Sequence, residues 1–274
     1  MSREIDLTGK VAVVTGGGGG IGGAVSEALA TAGAHVVVAE IDHHLARERV
    51  AAITDAGHRA ESVVVDVRDP EDIDRLATTV LEGHRRVDVL VNNVGHYLTA
   101  TPFLDSDRAH WDALHAVNLL HMFTCTRAFL PAMVERGEGS VVNVSSVEGL
   151  RGYPPDPVYG AYKAAVAHFT RCLALEVAPS GVRVNAIAPD VTQSLQVDYE
   201  ATVPEDLEDR WPVWVRLGRV GRAAHNADVV LFLASDLSRF VTGQVIPTDG
   251  GTLVAGGWFR TVGSGRWTNR PRNP

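Results

Sequence analysis

Cysteine is almost absent from this chain. Cys125 and Cys172 are the only two in 274 residues; they lie far apart and neither forms a C-x-x-C pair. Both fall in apolar helical patterns, which reads as buried, reduced thiols rather than a disulfide or a nucleophile. Long apolar runs are missing as well, since none approaches the ~20 residues that a bilayer crossing needs. The opening, MSREIDLTGK, is polar and lacks the apolar core of a signal peptide, so a soluble cytoplasmic protein with no membrane partner is expected. A basic excess is lacking too. With 25 Lys and Arg against 33 Asp and Glu the net charge is −8, which argues against nucleic acid or an anionic membrane as partner. Only the end is basic: after Asp249 the chain carries Arg260, Arg266, Arg270 and Arg272 and no acid. Eleven histidines show no H-E-x-x-H or other metal spacing, so no metal is called for, and His43-His44 read as a solvated helix start.

Short β-branched runs alternate with longer helical patterns. Strand-like runs are KVAVVT (10–15), AHVVVAE (34–40), ESVVVDV (61–67), VDVLVNN (87–93), GSVVNVSS (139–146), GVRVNAIAP (181–189) and GQVIPTD (243–249). Several are apolar throughout, as a parallel sheet covered on both faces requires. Ile21, Val25, Ala28 and Leu29 repeat at helical spacing before a capping Gly33. Pro70 opens a second helix, and longer helical stretches cover about 106–136, 158–178 and 225–235. The expected fold class is α/β: a Rossmann-type, doubly wound, parallel seven-stranded sheet in three α/β/α layers. No linker divides the chain, so residues 1–256 read as one domain with an irregular lid at about 190–222, followed by a tail, 257–274.

The stretch VAVVTGGGGGIGGA (11–24) places a glycine-rich loop directly after the first strand. In a dinucleotide-binding turn one glycine permits the tight turn, one lets the backbone approach pyrophosphate, and one lets helix and strand pack closely. The phosphates then sit on the helix N-terminus, where free N–H groups and the dipole favour an anion. G-x-G-x-x-G can be read from Gly17 or Gly18, and on the loop alone a flexible Gly-rich turn remains the alternative. The frame Thr15-Gly16-x-x-x-Gly20-Ile21-Gly22 starts as the strand ends, and Ile21 opens the apolar face of the following helix. NNVG (92–95) falls at the end of the fourth strand, VVNVSS (141–146) precedes YGAYK (159–163), and TDGG (248–251) follows.

In this order, from residue 7 to about 252, these motifs resemble the short-chain dehydrogenase/reductase family. The resemblance gives Gly16, Gly20 and Gly22 the pattern positions and makes Gly17, Gly18 and Gly19 variable fillers, with Gly19, Gly20 and Ile21 as cofactor contacts. It implies an oxidoreductase that interconverts a secondary alcohol and a ketone by hydride transfer with a nicotinamide cofactor.

Such chemistry needs a proton donor beside the substrate oxygen, and Tyr159 is the candidate. An unperturbed phenol titrates near ~10, so a nearby cation is needed for it to act as a base near neutrality. Lys163 lies one helical turn along the same face, and the resemblance adds hydrogen bonds from it to the nicotinamide ribose. Tyr162 and Tyr153 are the competitors; Tyr162 adjoins Lys163 and points elsewhere on the helix. Ser145 and Ser146 cannot both face the site unless the strand has already ended, and the family spacing selects Ser146 to polarise the substrate oxygen. The resemblance also makes Asn118 the holder of a water in a proton relay with the lysine. It assigns Asp66 and Val67, at the end of the third strand, to adenine, and Asn93 and Gly95 to the cofactor. Pro189, Val191 and Thr192 follow for the carboxamide end, although Asp190 stands where the family has glycine. His96 is a candidate for the substrate pocket.

Glu40 ends the second strand 18 residues after Gly22, near the ~20-residue offset at which an acid meets the adenosine ribose. A carboxylate there accepts from the 2′- and 3′-hydroxyls and repels a 2′-phosphate; no Lys or Arg occurs between Lys10 and Arg47. The expected cofactor is therefore NAD, with Asp42 as the rival acid. Tyr199, Trp211, Trp214 and Val215 in the lid, with Trp258 and Phe259 after TDGG, suggest a bulky or cyclic apolar alcohol or ketone as the small-molecule substrate. A 3-oxoacyl thioester is the alternative. Loss of Tyr159 or Lys163 would have indicated a non-catalytic nucleotide sensor; both are present. A sugar-nucleotide epimerase lacks its C-terminal domain here, and enoyl reductases of the family space tyrosine and lysine more widely. By family resemblance a homotetramer is expected, with Trp258 and Trp267 docking on the lid or on a neighbouring subunit.

Overall fold

All five residues of β1, Val11–Thr15, are buried, as are the last five of β2, His35–Glu40; strands of this kind hold only when both faces are covered. The computed structural model describes residues 5–204, 207, 210–256, 259–261 and 265–268. β3 (Arg59–Val64), β4 (Val89–Asn92), β5 (Gly139–Val144), β6 (Val182–Pro189) and β9 (Val245–Thr248) complete the sheet. It has seven strands in the order β3-β2-β1-β4-β5-β6-β9, all pairs parallel. The expected doubly wound sheet is present, and the strand order reverses between β1 and β4.

Helices cover both faces. On one, Val13, Val37, Leu90 and Val184 meet Leu76, Phe129 and Leu173 of α3 (Pro70–His84), α5 (His121–Arg136) and α6 (Pro157–Val177). On the other, Val14, Val36 and Val142 meet Val25, Leu29, Val230 and Leu233 of α1 (Gly20–Thr31) and α9 (Ala223–Ala234). α4 (Arg108–His115) runs into α5 through one π-helical turn, Ala116–Leu120.

Several boundaries differ from expectation. β3 ends at Val64, so Asp66 and Val67 lie beyond the strand: the Asp66 N–H already donates to Asp72 of α3 at 2.8 Å as the chain turns into that helix. His43 and His44 are exposed at the start of a helix, as expected, and that helix, α2 (His43–Asp55), is capped by Asp42, which accepts from the N–H groups of His44 and Leu45. Cys125 is buried and its thiol is pushed up to about 12 by desolvation, whereas Cys172 is exposed on the outward face of α6 beside His168. Both cysteines are free.

The lid holds β7 (Thr192–Gln193), α7 (Tyr199–Thr202), α8 (Trp211–Trp214) and β8 (Gly221–Arg222), with β7 and β8 paired parallel. In the tail, β10 (Phe259–Arg260) pairs antiparallel with β11 (Trp267–Thr268). The Arg216 guanidinium lies 5.8 Å from the Phe259 ring centre and ties this hairpin to the lid. Trp258 lies outside the described residues. Among those residues no helix is long and apolar enough to cross a membrane.

Candidate active site

A cleft of about 490 Å³ opens where the strand order reverses, at the carboxyl ends of the strands. This is where open α/β sheets bind ligands. Of the catalytic and cofactor-binding residues expected from the sequence, Gly16, Gly19, Gly20, Ile21, Glu40, Asn93, Gly95, Ser146, Tyr159, Lys163, Pro189, Val191 and Thr192 line it.

The glycine loop is built by close contact. A Cβ on Gly22 would sit 2.1 Å from the Gly16 carbonyl oxygen, so helix and strand meet there without room for a side chain. Gly17 is no variable filler: a Cβ would lie 2.8 Å from both the Val14 carbonyl and Ser26 Oγ. The Asn93 amide donates to the carbonyls of Thr15 and Gly16 at 3.0 and 3.2 Å, stapling the loop to the end of β4.

At the end of β2 the Glu40 carboxylate is aimed by backbone donors. Its Oε2 accepts from Gly18 N–H at 3.1 Å, and its Oε1 from Ile41 and Asp42 N–H at 2.9 and 3.3 Å. Asp42, the rival acid, is exposed and occupied in capping α2. One cation does come near, from the second half of α2: Arg49 Nε donates to the Gly18 carbonyl at 3.3 Å and Nη1 to Glu27 at 3.0 Å. It holds the outer side of the loop and does not line the cleft.

The strand carrying the two serines ends at Val144, which frees both from alternation. Ser145 Oγ donates to the Lys163 carbonyl at 2.8 Å, whereas Ser146 Oγ accepts from Glu148 N–H at 3.1 Å and lines the cleft beside Tyr159, near enough to favour the phenolate. Tyr159 and Lys163 come from the first two turns of α6. Pro157 starts that helix and the buried Asp156 caps it, accepting from Val158 and Tyr159 N–H at 3.1 and 3.0 Å. His110 Nε2 in turn meets Asp156 at 3.0 Å. The Asp-Pro pair was a readable cap signal, but its role in aiming Tyr159 depends on burial. Lys163 Nζ lies 5.8 Å from the Tyr159 ring centre and donates to the Val144 carbonyl at 3.2 Å.

Electrostatics here differ from the sequence expectation of a cation-lowered phenol. Burial pushes Tyr159 above the ordinary phenol range, offset in part by the Ser146 hydroxyl. Burial also lowers Lys163 to about 8. Each group is therefore biased toward its uncharged form, and at neutral pH Tyr159 holds its proton. Tyr162 is turned away, its hydroxyl donating to the Trp111 carbonyl at 3.3 Å. Tyr153 packs edge-on against Tyr159 with ring centres 5.9 Å apart.

Asn118 lies in the π-helical turn and does not line the cleft. Its Nδ2 donates to the carbonyls of His96 and Leu114 at 2.8 and 3.0 Å, and its Oδ1 accepts from His96 N–H at 3.1 Å. It thus clamps the segment that carries Gly95, where a Cβ would come within 2.5 Å of Lys163 Nζ. His96 lines the cleft. One turn from Asn118, the buried ring of His121 has no hydrogen-bond partner on either nitrogen. Burial, and then the charge of Lys163, lower it to about 3. Nothing in the linear pattern marked this histidine.

Asp190 explains its departure from glycine. Its carboxylate accepts from Val191 N–H at 2.9 Å, from Thr252 Oγ1 at 2.5 Å and from Arg151 at 3.0 Å, and Arg151 also pairs with Glu148 at 2.8 Å. The positive φ falls instead on Val191, at 34°. Asp66 is outside the cleft lining, its carboxylate engaged by Arg68 at 2.6 Å, and Val67 is buried.

The lid lies over the loop. A Cβ on Gly19 would meet Leu195 Cδ1 at 2.5 Å, and Gln196 Nε2 donates to the Gly95 carbonyl at 2.6 Å. Of the lid aromatics, Tyr199 lines the cleft and Trp211 packs edge-on behind it at 5.7 Å. Trp214 is exposed, and Val215 is buried against Gly250.

A family model described as "Enoyl-(Acyl carrier protein) reductase" matches residues 16–252. The chain is 39% identical over 254 residues to a galactitol 2-dehydrogenase of Rhizobium johnstonii, covering 91% of this chain and 97% of that one. It is 36% identical over 248 residues to a 3-oxoacyl-[acyl-carrier-protein] reductase of Thermotoga maritima, covering 90% and 99%. Among solved structures, a 7α-hydroxysteroid dehydrogenase complexed with NADH and 7-oxo glycochenodeoxycholic acid superposes with a TM-score of 0.83 at 29% identity, covering 90% of this chain and 95% of that one. The chain belongs to the short-chain dehydrogenase/reductase family. It is an oxidoreductase acting on the CH–OH group of alcohols and the corresponding ketones with a nicotinamide dinucleotide.

Proposed function

We propose that the protein is an NAD(H)-dependent dehydrogenase of a secondary alcohol, with Tyr159 as the proton-transferring acid/base. The observation that carries this reading is the convergence of Ser146, Tyr159 and Lys163 at one end of a cleft whose other end presents Glu40. The glycine cradle fits a dinucleotide. Gly19, Gly20 and Ile21 offer the N-terminus of α1 to the pyrophosphate, and Glu40 keeps lone pairs for ribose hydroxyls, held in place by three backbone donors. Asn93, Gly95, Pro189, Val191 and Thr192 would hold the nicotinamide half; Asp66 and Val67 would meet the adenine edge. The bound cofactor supplies the hydride.

In reduction Tyr159 gives its proton from Oη to the carbonyl oxygen; in oxidation the phenol first releases its own proton to solvent, a step favoured by alkaline pH, and then takes one from the substrate hydroxyl. Ser146 Oγ bonds the same oxygen and fixes its position. Lys163 places a positive charge behind the phenol, strongest in the water-poor interior. Asn118 holds the Gly95–His96 backbone beside Lys163 and would hold the water of a proton relay with that lysine.

The substrate proposed is a bulky or cyclic apolar alcohol. Tyr97, His96 and Tyr199 furnish apolar walls, and the steroid-bound relative sets a precedent on this fold. The similarity to 3-oxoacyl reductases keeps the thioester as the second reading. Exposed Leu104, Leu175 and Phe240 supply apolar surface for a homotetramer, checked by solution mass, and the cytoplasm is the proposed location, checked by cell fractionation. The decisive test of substrate class is NAD⁺ reduction against cyclic terpene alcohols, sterols, polyols and 3-hydroxyacyl thioesters. Turnover of a cyclic alcohol supports the reading; turnover confined to the thioester replaces it.

A further inference from the structure

At the opposite end of the sheet, three side chains that are remote in sequence converge: His35 at the start of β2, Glu61 in β3 and His84 at the end of α3. One ligand atom from each lies within 4.8 Å of the others. His84 Nε2 is 2.7 Å from Glu61 Oε1 and His35 Nε2 is 3.9 Å from the same oxygen. The two imidazole rings lie 4.5 Å apart, centre to centre, at 54°. Register accounts for the meeting. Glu61 pairs with Val37 and so faces the same side of the sheet as His35, two residues earlier, and that is the side covered by α3.

The hydrogen bond between His84 and Glu61 explains two of these residues and leaves the third. His35 Nε2 is buried without a hydrogen-bond partner, an arrangement that costs free energy in a native structure.

We propose that His35, Glu61 and His84 form a binding site for a late first-row divalent cation, with Zn²⁺ as the representative ion. Two imidazole nitrogens and one carboxylate oxygen suit Zn²⁺, Co²⁺ or Ni²⁺ and are poor ligands for Mg²⁺ or Ca²⁺. Tetrahedral Zn²⁺ with bonds of about 2.0–2.1 Å sets its ligands roughly 3.3 Å apart. Opening the 2.7 Å contact and closing the 3.9 Å one by about half an ångström each brings both imidazoles to that distance from Glu61, and the two imidazole nitrogens, within 4.8 Å of each other, must also close by side-chain rotation. The side chains of His35, Glu61 and His84 are 26%, 44% and 19% exposed, so an ion can enter from solvent, and a water would complete its four ligands. The site lies away from the cleft and straps the edge strand β3 and the end of α3 to β2. Its role is structural, and the ligands' spacing of 26 and 23 residues explains why no linear motif announced it.

The test is calorimetric titration of the full chain with Zn²⁺ after chelator treatment, alongside Glu61→Gln and His84→Gln, with melting temperature and NAD⁺-linked turnover as parallel readouts. One Zn²⁺ per chain is expected, with a rise in melting temperature of about 4–5 °C at a hundredfold excess over Kd. Either substitution should weaken binding at least tenfold and abolish the rise, while turnover without added metal stays unchanged. Co²⁺ should give the visible absorption of a tetrahedral N/O site in the unmutated chain only. Zn²⁺ binding and stabilisation that persist in both variants would assign the ion to another place, such as His168 and Cys172, and overturn the proposal. So would the absence of binding to the unmutated chain.

Discussion

Lys163→Met should make the protein more stable and inactive. Lys163 is 3% exposed, its ammonium donates among the described residues to the Val144 carbonyl, and burial lowers that ammonium from 10.5 to about 8. Because the folded-state value is depressed, the unfolded chain binds the proton more readily. The ammonium thus destabilises the fold fully below pH 8, progressively less between 8 and 10.5, and not at all above. At ~1.4 kcal/mol per pH unit, that displacement is worth about 3 kcal/mol. Losing the Val144 hydrogen bond returns about 1 kcal/mol. A net gain of about 2 kcal/mol remains at pH 7, or roughly 3–4 °C in melting temperature for a chain this long. Chemical denaturation without cofactor, at pH 7 and pH 9.5, measures it. The gain should shrink by more than half at the higher pH while turnover is lost at both. A Lys163→Met protein less stable than the parent at pH 7 would refute the reasoning.

Three further outcomes follow from the site. Glu40 should give at least about tenfold preference for NAD(H) over NADP(H) in kcat/KM, since a charged hydrogen bond is worth ~1.5–3 kcal/mol. Glu40→Ala should erode that preference, and an unmutated enzyme that works equally well with NADPH contradicts the assignment. Gly22→Ala puts a methyl 2.1 Å from the Gly16 oxygen; overpacking of about 1–3 kcal/mol and at least tenfold weaker cofactor binding are expected, and wild-type values for both would show that the loop yields. His121 falls from 6.5 to about 3 in the fold, so its contribution is intact above pH 6.5 and drains away at ~1.4 kcal/mol per pH unit below it. Between pH 7.5 and 5.5 the parent should therefore lose about 1.4 kcal/mol more in urea titrations than His121→Leu; equal losses rule this out.

The sheet was legible because its strands are apolar throughout, and runs such as VAVVT and HVVVAE leave no other placement than the covered centre of a parallel sheet. Tyr159 and Lys163 were legible because their spacing puts them on one helix face, Ser146 was chosen over Ser145 by the family resemblance alone, and all three line the cleft. What escaped depended on contacts across the fold. The tightness of Gly17 comes from Val14 and Ser26, the neutrality of His121 from burial beside Lys163, and the reach of Arg49 from a helix whose start alone had been marked. The phenol's environment differs for a related reason: sequence shows the neighbouring lysine but not the desolvation that raises the phenol. Cys172 was misplaced because apolar periodicity on a long helix defines the buried stripe only approximately.

The central claim is that Tyr159 moves the proton. Steady-state and single-turnover kinetics with NAD⁺ and the best alcohol from the panel, comparing Tyr159→Phe with Tyr162→Phe, test it most directly. Tyr159→Phe should bind NAD⁺ as the parent does and lose about 10²–10⁴ in kcat, with Tyr162→Phe near the parent. Near-normal turnover in Tyr159→Phe, with loss in Tyr162→Phe, would contradict it.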